Sequence, residues 1–190
     1  VSGDPDDRRS IITAASMPAK KLGIKTAEPV SMALRKYPDL LIVRGDWEWY
    51  GKCSKGFLDI CRSYSPVLQQ FSIDECFIDM TMRNWGEDPV DVATRLKNEI
   101  KEKLGFTVNV GIGSNKLLAK MASEFEKPDK VHTLWQEEVQ EKMWPMDVRE
   151  LLWVGKKTEE KLRMYGIHTI GELAAISVGS LTRLVGKKFA

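Results

Sequence analysis

Ser72-Ile73-Asp74-Glu75 sets two adjacent carboxylates in a stretch flanked by Phe71, Phe77 and Ile78. Carboxylate oxygens are the ligands a hard cation such as Mg²⁺ takes. Two such ions about 3.5 to 4 Å apart stabilise the attacking and leaving oxygens of a phosphoryl displacement. Along a strand neighbouring side chains point to opposite faces, so both acids reach one ion only if the backbone bends between them. Two carboxylates are also too few for two ions. Taken alone, the pair is most simply an acidic turn in solvent. Asp79 is a further acid nearby, but its parity differs from that of Asp74, which marks it as a structural or surface residue.

A second stretch with chemical potential is Gly111-Ile112-Gly113-Ser114-Asn115-Lys116, between a strand pattern and a helix pattern. It lacks the third glycine of a dinucleotide fingerprint, Lys116 standing there, and the chain contains no GxxxxGK[ST]. Both a phosphate-binding turn and a plain tight turn remain open. A third stretch is sharper. Leu151, Leu152, Val154, Gly155, Lys156-Lys157-Thr158, Leu162 and Gly166-Ile167 read as helix, tight hairpin, helix. A helix N-terminus at such a hairpin offers amide donors and a positive dipole end to a phosphate, and Lys156, Lys157 and Lys161 add charge. From Gly155 onward seven basic residues (Lys156, Lys157, Lys161, Arg163, Arg183, Lys187, Lys188) face three glutamates (Glu159, Glu160, Glu172), a surplus of +4. Such charge grips a nucleic-acid backbone without reading its sequence. An ordinary helical hairpin with a solvated lysine face is the alternative.

The elements that must position these groups follow from periodicity. Ile11 to Ala15 is a candidate strand. Two short helical pieces between Ala19 and Tyr37 are broken by Gly23 and Pro29, and Leu40 to Val43 reads as a buried strand. Tyr50, Phe57, Leu58, Ile60 and Cys61 give Trp47 to Tyr64 one apolar helical face, closed by Pro66. Val67 to Thr81 is hairpin-like. Asp88-Pro89 opens a helix whose Val92, Leu96, Ile100 and Leu104 recur every four residues until Gly105. Phe106, Val108, Val110 and Ile112 alternate as a strand, Ser114 is a cap for a helix through Glu124, and Val131 to Leu134 is a last strand. The order predicts an α+β fold with a mixed sheet covered by helices, and after about Gln136 an all-helical lobe.

Composition sets the frame. The 190 residues carry 29 Lys plus Arg against 27 Asp plus Glu, a net charge of +2, so any polyanion must be met by local patches. No apolar run is long enough to span a membrane. Three cysteines without a CxxC pair, and two histidines, make neither a zinc framework nor an even disulfide set, which points to a reducing cytoplasmic setting.

In order along the chain, Ala14-Ala15-Ser16, Ala19-Lys20-Lys21-Leu22-Gly23-Ile24, Tyr64-Ser65-Pro66, Ser72-Ile73-Asp74-Glu75 and Gly111-Ile112 are followed by Asn115-Lys116 with Leu118-Ala119-Lys120, then Lys127-Pro128 and the Gly155 hairpin. Together they resemble the Y-family translesion DNA polymerases of the UmuC and DinB type, the ImpB/MucB/SamB group. The resemblance spans essentially the whole chain. It implies a fingers lobe at 1–46, most of a palm at 47–136 and a thumb with a helix-hairpin-helix at 137–190. It implies error-prone, two-metal nucleotidyl transfer onto a primer 3′-hydroxyl in the repair and SOS response to DNA damage. Asp74 and Glu75 would be catalytic ligands of two Mg²⁺ ions. Ser16, Lys20 and Lys127 would bind the deoxynucleoside triphosphate, and Val154, Gly155, Lys156, Lys157 and Lys161 would bind primer–template DNA. A sliding clamp would be a further partner, through a region outside the chain.

Several positions depart from the family pattern. Lys20 stands where arginine is usual, keeping charge without the bidentate fork. Met17 replaces a tyrosine, and Trp153 takes a position that is often glycine. The family's first catalytic aspartate, its ribonucleotide gate and its C-terminal DNA-binding domain have no counterpart, so the resemblance implies a chain cut at both ends and inactive alone. A polymerase-like accessory protein that binds DNA without catalysis is the alternative. A metal-dependent nuclease or phosphatase would leave Lys20, Lys127 and the hairpin unexplained.

Overall fold

The structure is a computed structural model that describes every residue except 5, 6, 8, 83–85 and 188–190. Lys188, counted above in the basic tail, and Ala190 lie outside the described residues. The chain divides into two compact units, Val1–Ser54 and Lys55–Ala190.

In the first unit, helices α1 (Met17–Lys21) and α2 (Val30–Lys36) fall where the breaks at Gly23 and Pro29 put them. Ile12, Ala19, Ile24, Val30 and Ala33 form its core. The two strands expected here do not form. Ile11 pairs with Pro29 at a single bridge, and proline has no amide with which to extend a ladder. Ser2 bridges Ile12 and Arg44 singly. Leu40 to Val43 is extended without a ladder, with Leu40 and Ile42 on the core while Leu41 and Val43 face solvent.

Helix α3 (Trp47–Tyr64) leads into the second unit and buries Phe57, Leu58, Cys61 and Tyr64. Strands β1 (Leu68–Gln70) and β2 (Cys76–Ile78) make an antiparallel hairpin. Helix α4 (Pro89–Leu104) has Asp88 as its N-cap, the carboxylate accepting from the Val90 amide at 2.7 Å, and ends at Gly105 with φ 75°, a left-handed geometry that favours glycine. Val92, Leu96 and Ile100 pack on the buried face of α3.

Strand β3 (Val110–Gly113) pairs in parallel with β4 (Val131–Leu134), and α5 (Lys116–Glu124) is the crossover. The expected strand from Phe106 thus starts late. Phe106 and Val108 join the α3–α4 core, while the Asn109 side chain accepts from the Lys130 amide beside β4 and donates to the Ser123 and Glu126 carbonyls around the end of α5. Asn115, not Ser114, caps α5, its side-chain oxygen accepting from the Leu118 amide at 3.0 Å. Parallel and antiparallel pairing both occur, in two separate two-stranded sheets.

Beyond β4 the chain is helical: short 3-10 and π turns, then α6 (Lys156–Met164), α7 (Ile170–Ala174) and α8 (Val178–Val185). Leu118, Met121, Ala122 and Leu134 share a buried cluster with Met143 and Ile170, which joins the strand-bearing part to the helical tail. Val148, Leu162, Ile167 and Val185 form the tail's own core.

Candidate active site and nucleic-acid interface

The bend that Asp74 and Glu75 require is present. They lie in the tight connection between β1 and β2, where the Phe71 and Ser72 amides both donate to the Glu75 carbonyl, at 2.9 and 3.1 Å. Ser72 shapes the tip: its hydroxyl donates to Asp74 Oδ1 at 2.6 Å and accepts from the Asp74 amide at 3.3 Å. The open end of the hairpin is pinned by the Ser65 hydroxyl donating to the Asp79 carbonyl and the Asp79 amide donating to the Val67 carbonyl. Asp79 is structural, its carboxylate accepting from the Thr81 amide.

Asp74 is exposed and Glu75 half-buried. Lys120, from α5, donates to Glu75 Oε1 at 2.6 Å and to Glu124 Oε1 at 2.7 Å, and Lys127 pairs with the other oxygen of Glu124 at 2.6 Å. Opposite charges thus alternate from Glu75 through Lys120 and Glu124 to Lys127. The Lys120 side chain is only 16% exposed. Burial disfavours its charge, but the carboxylates of Glu124 and Glu75 outweigh that and hold its pKa above the usual 10.5. Burial likewise pushes the Glu124 carboxyl up, and the ammonium groups of Lys120 and Lys127 outweigh it and hold it below the usual 4.5.

Lys120 can reach Glu75 because α5 lies unusually close to β3. A Cβ on Gly111 would stand 2.0 Å from the Ala119 carbonyl oxygen and 2.4 Å from the Ser123 amide nitrogen, and one on Gly113 would stand 2.8 Å from the Ala119 amide nitrogen. The glycines of the Gly111-Ile112-Gly113 turn therefore serve close strand–helix packing. The sequence shows the spacing of Lys120, Glu124 and Lys127 along one helix and its end. It gave no signal that Lys120 would meet Glu75, 45 residues away.

As donors, Asp74 and Glu75 supply oxygen alone, which suits a hard divalent cation. Among the described residues no group of three or more Asp, Glu, His or Cys is placed to hold a metal. The pair fits as part of a metal site and is short of what two ions need.

Ser16 and Lys20 lie in the first unit. The Ser16 hydroxyl is the N-cap of α1, accepting from the Ala19 amide at 3.4 Å, and Lys20 is exposed in the last turn of that helix.

The hairpin is asymmetric. Its first helix is a single 3-10 turn, Val148–Glu150, and its second is α6. Gly155 is the N-cap of α6, with φ −82°, no capping side chain, and open space where a Cβ would stand. The left-handed residue is instead Trp153, φ 77°. Lys156, Lys157 and Lys161 are exposed around this end. The loop is held from behind: the Arg149 guanidinium donates to the Val154 carbonyl, and Arg163 makes two bonds to Asp147, at 2.8 and 2.6 Å, and one to Glu159 at 3.0 Å. The Arg149 amide and the Arg163 guanidinium beside Asp147 hold its carboxyl below the usual 3.8. An amide-bearing helix end ringed by solvated lysines is suited to phosphate.

Comparison with known proteins gives the chain a family and a fold. Residues 1–124 match the impB/mucB/samB family, and residues 136–167 match the helix-hairpin-helix motif of the same family. DNA polymerase IV of Clostridium acetobutylicum is 45% identical over 181 residues, which is 95% of this chain and 46% of the relative. The crystal structure of DinB from Sulfolobus solfataricus superimposes with a TM-score of 0.86 at 26% identity, covering 95% of this chain and 53% of that one. An insertion ternary complex of Dbh DNA polymerase gives 0.88 at 26% identity, covering 100% and 56%. The chain spans about half the length of the curated relatives it matches. With residues 1–124, well over half of its length, matched by the family model, the chain belongs to the impB/mucB/samB family.

Proposed function

We propose that this chain is the fingers (1–46), palm (47–136) and thumb (137–190) of a DNA-directed DNA polymerase of the error-prone lesion-bypass class, acting in the SOS response to DNA damage. The observation that carries the reading is the Asp74–Glu75 turn, joined through Lys120 and Glu124 to Lys127. The family match and the DNA polymerase IV relatives support it.

In this reading Asp74 and Glu75 hold Mg²⁺, with ligands outside the described set completing two sites. When bound, the ions neutralise charge on the reacting phosphate and its attacking and leaving oxygens. The protein's own residues bind and orient. Lys127 leaves Glu124 to meet the triphosphate of an incoming deoxynucleotide; in the first unit Lys20 offers nucleotide phosphate a point charge, and Ser16 holds the first turn of the helix that carries it. The amides of Gly155, Lys156 and Lys157 at the start of α6, with Val154 fixed by Arg149 and Lys161 one turn on, hold primer-strand phosphates. Lys120 fixes the Glu75 carboxylate so that little reorganisation precedes reaction. The partners are primer–template DNA and deoxynucleoside triphosphates in the cytoplasm, with a sliding clamp engaged outside residues 1–190. No helix among the described residues is long and apolar enough to cross a membrane.

A polymerase-like accessory protein that binds DNA without catalysis is the second reading, favoured by Met17, Lys20 and Trp153, which stand where the family pattern has tyrosine, arginine and glycine. Primer extension by the polypeptide that contains this chain separates the two. A polymerase extends with Mg²⁺ and loses extension with Asp74→Ala and Glu75→Ala. An accessory protein extends in neither form, and the polymerase reading is then abandoned.

A further inference from the structure

Trp153 combines three features that packing does not explain. Its backbone is left-handed, φ 77°, a region that disfavours any residue with a Cβ and a bulky aromatic above all. Its indole is 75% exposed, so burial offers little in return. Its ring contact is an edge-on approach to Phe71, centroids 6.0 Å apart at 84°. Phe71 in turn stands edge-on to Phe77 at 5.5 Å, and its amide is one of the two donors to the Glu75 carbonyl that form the acid turn. The indole therefore lies against the acid turn, two residues before the uncapped N-terminus of α6 with its exposed lysines. Backbone strain kept at an exposed side chain is a mark of function rather than of stability.

We propose that Trp153 is a DNA-contacting residue: its indole packs against the terminal sugar and base of the primer strand and holds the 3′ end over the acid turn. The proposal rests on the polymerase reading above. Charge identifies the occupant. Lys156, Lys157 and Lys161 suit a polyanion, and the exposed ring beside them suits the flat apolar faces that a nucleic acid carries along its phosphates. Glycine, the relaxed choice at this φ, would leave the phosphate grip intact and remove the platform.

The test is fluorescence anisotropy with the polypeptide that contains this chain on a recessed primer–template and on a blunt duplex of equal length, alongside thermal unfolding. Trp153→Gly and Trp153→Asn are compared with wild type, both being residues that tolerate a left-handed backbone. Both variants are expected to melt no lower than wild type, to bind the recessed primer–template about tenfold more weakly, and to bind the blunt duplex unchanged. Unchanged affinity for the primer–template in both variants overturns the proposal, as does an equal loss on both DNAs, which would make the indole a general backbone contact. Binding to neither DNA by the wild-type polypeptide that contains this chain would instead defeat the polymerase reading itself.

Discussion

The acid turn and the hairpin solve different positioning problems. The turn carries two carboxylates whose placement must be fixed, and its Glu75 is held by a largely buried lysine 45 residues away on α5, itself drawn close by Gly111 and Gly113. The hairpin offers amides and solvated lysines, and the side-chain bonds that fix its loop are nearer in sequence: Arg149 to Val154, and Arg163 to Asp147 across 16 residues. A group that must act on reacting atoms is worth a long-range ion pair in a partly desolvated place. A grip on a repeating phosphate backbone works from a helix end and mobile lysines. The turn is therefore sensitive to distant substitutions that shift α5.

The strongest way to break this division is Asp74→Ala with Glu75→Ala in the polypeptide that contains the chain. Primer extension should fall at least about a thousandfold, while affinity for primed DNA stays within about twofold. Both quantities are read on the same preparation. A comparable loss of binding would show that the turn is part of the grip.

Remote control of the turn is probed by Gly111→Ala. The new methyl meets Ala119 and Ser123 backbone, which cannot yield without moving α5, so a destabilisation of about 3 kcal/mol and a melting temperature lower by about 6 to 12 °C are expected. An unchanged melting curve would contradict the close packing of α5 on β3.

Lys120→Met should act more weakly, by about 1 to 2 kcal/mol, because Glu75 and Glu124 are 38% and 41% exposed and keep some hydration. The same variant has a pH signature. A Glu124 carboxyl held below 4.5 in the folded chain contributes stability that is present above that value and lost as pH falls through the depressed folded one. Removing Lys120 should shallow this acid loss in unfolding measured from pH 6 to pH 3. A wild-type pH profile in the variant would show that the ion pairs do not couple to folding.

The smallest effect on stability belongs to the hairpin. Lys156→Ala with Lys157→Ala should leave unfolding within about 0.5 kcal/mol of wild type, yet weaken binding to every DNA tried and lower the slope of log affinity against log salt by about 1 per lysine. A change confined to one DNA sequence would argue against backbone contacts.

What could be read in advance follows the same divide. Helix α4 is legible because its determinants are adjacent in sequence: Asp88-Pro89 at the start, apolar residues every four positions, Gly105 at the end. The hairpin is legible for that reason too. Asn115 rather than Ser114 caps α5, since either type can accept and only the backbone geometry chooses between them. Leu40 to Val43 looks like a strand by its residue types, but its ladder partner is a single residue: Ser2 donates its amide to the Val43 carbonyl and bridges Arg44, and pairs no further along the segment. At the site, the acids and Lys127 stand out by type and order. The role of Lys120 stayed hidden because an ion pair across 45 residues leaves no local trace. The left-handed backbone at Trp153 was hidden as well, since the residue there is one that such a position normally excludes.

The most direct test of the division of labour is a paired titration of DNA binding and primer extension for the acid-turn and hairpin double variants. Opposite patterns are expected: the Asp74/Glu75 variant binds primed DNA and does not extend it, whereas the Lys156/Lys157 variant binds weakly at physiological salt and recovers extension as DNA is raised to saturation. If binding and extension fall together in both variants, and saturating DNA rescues neither, the account is contradicted.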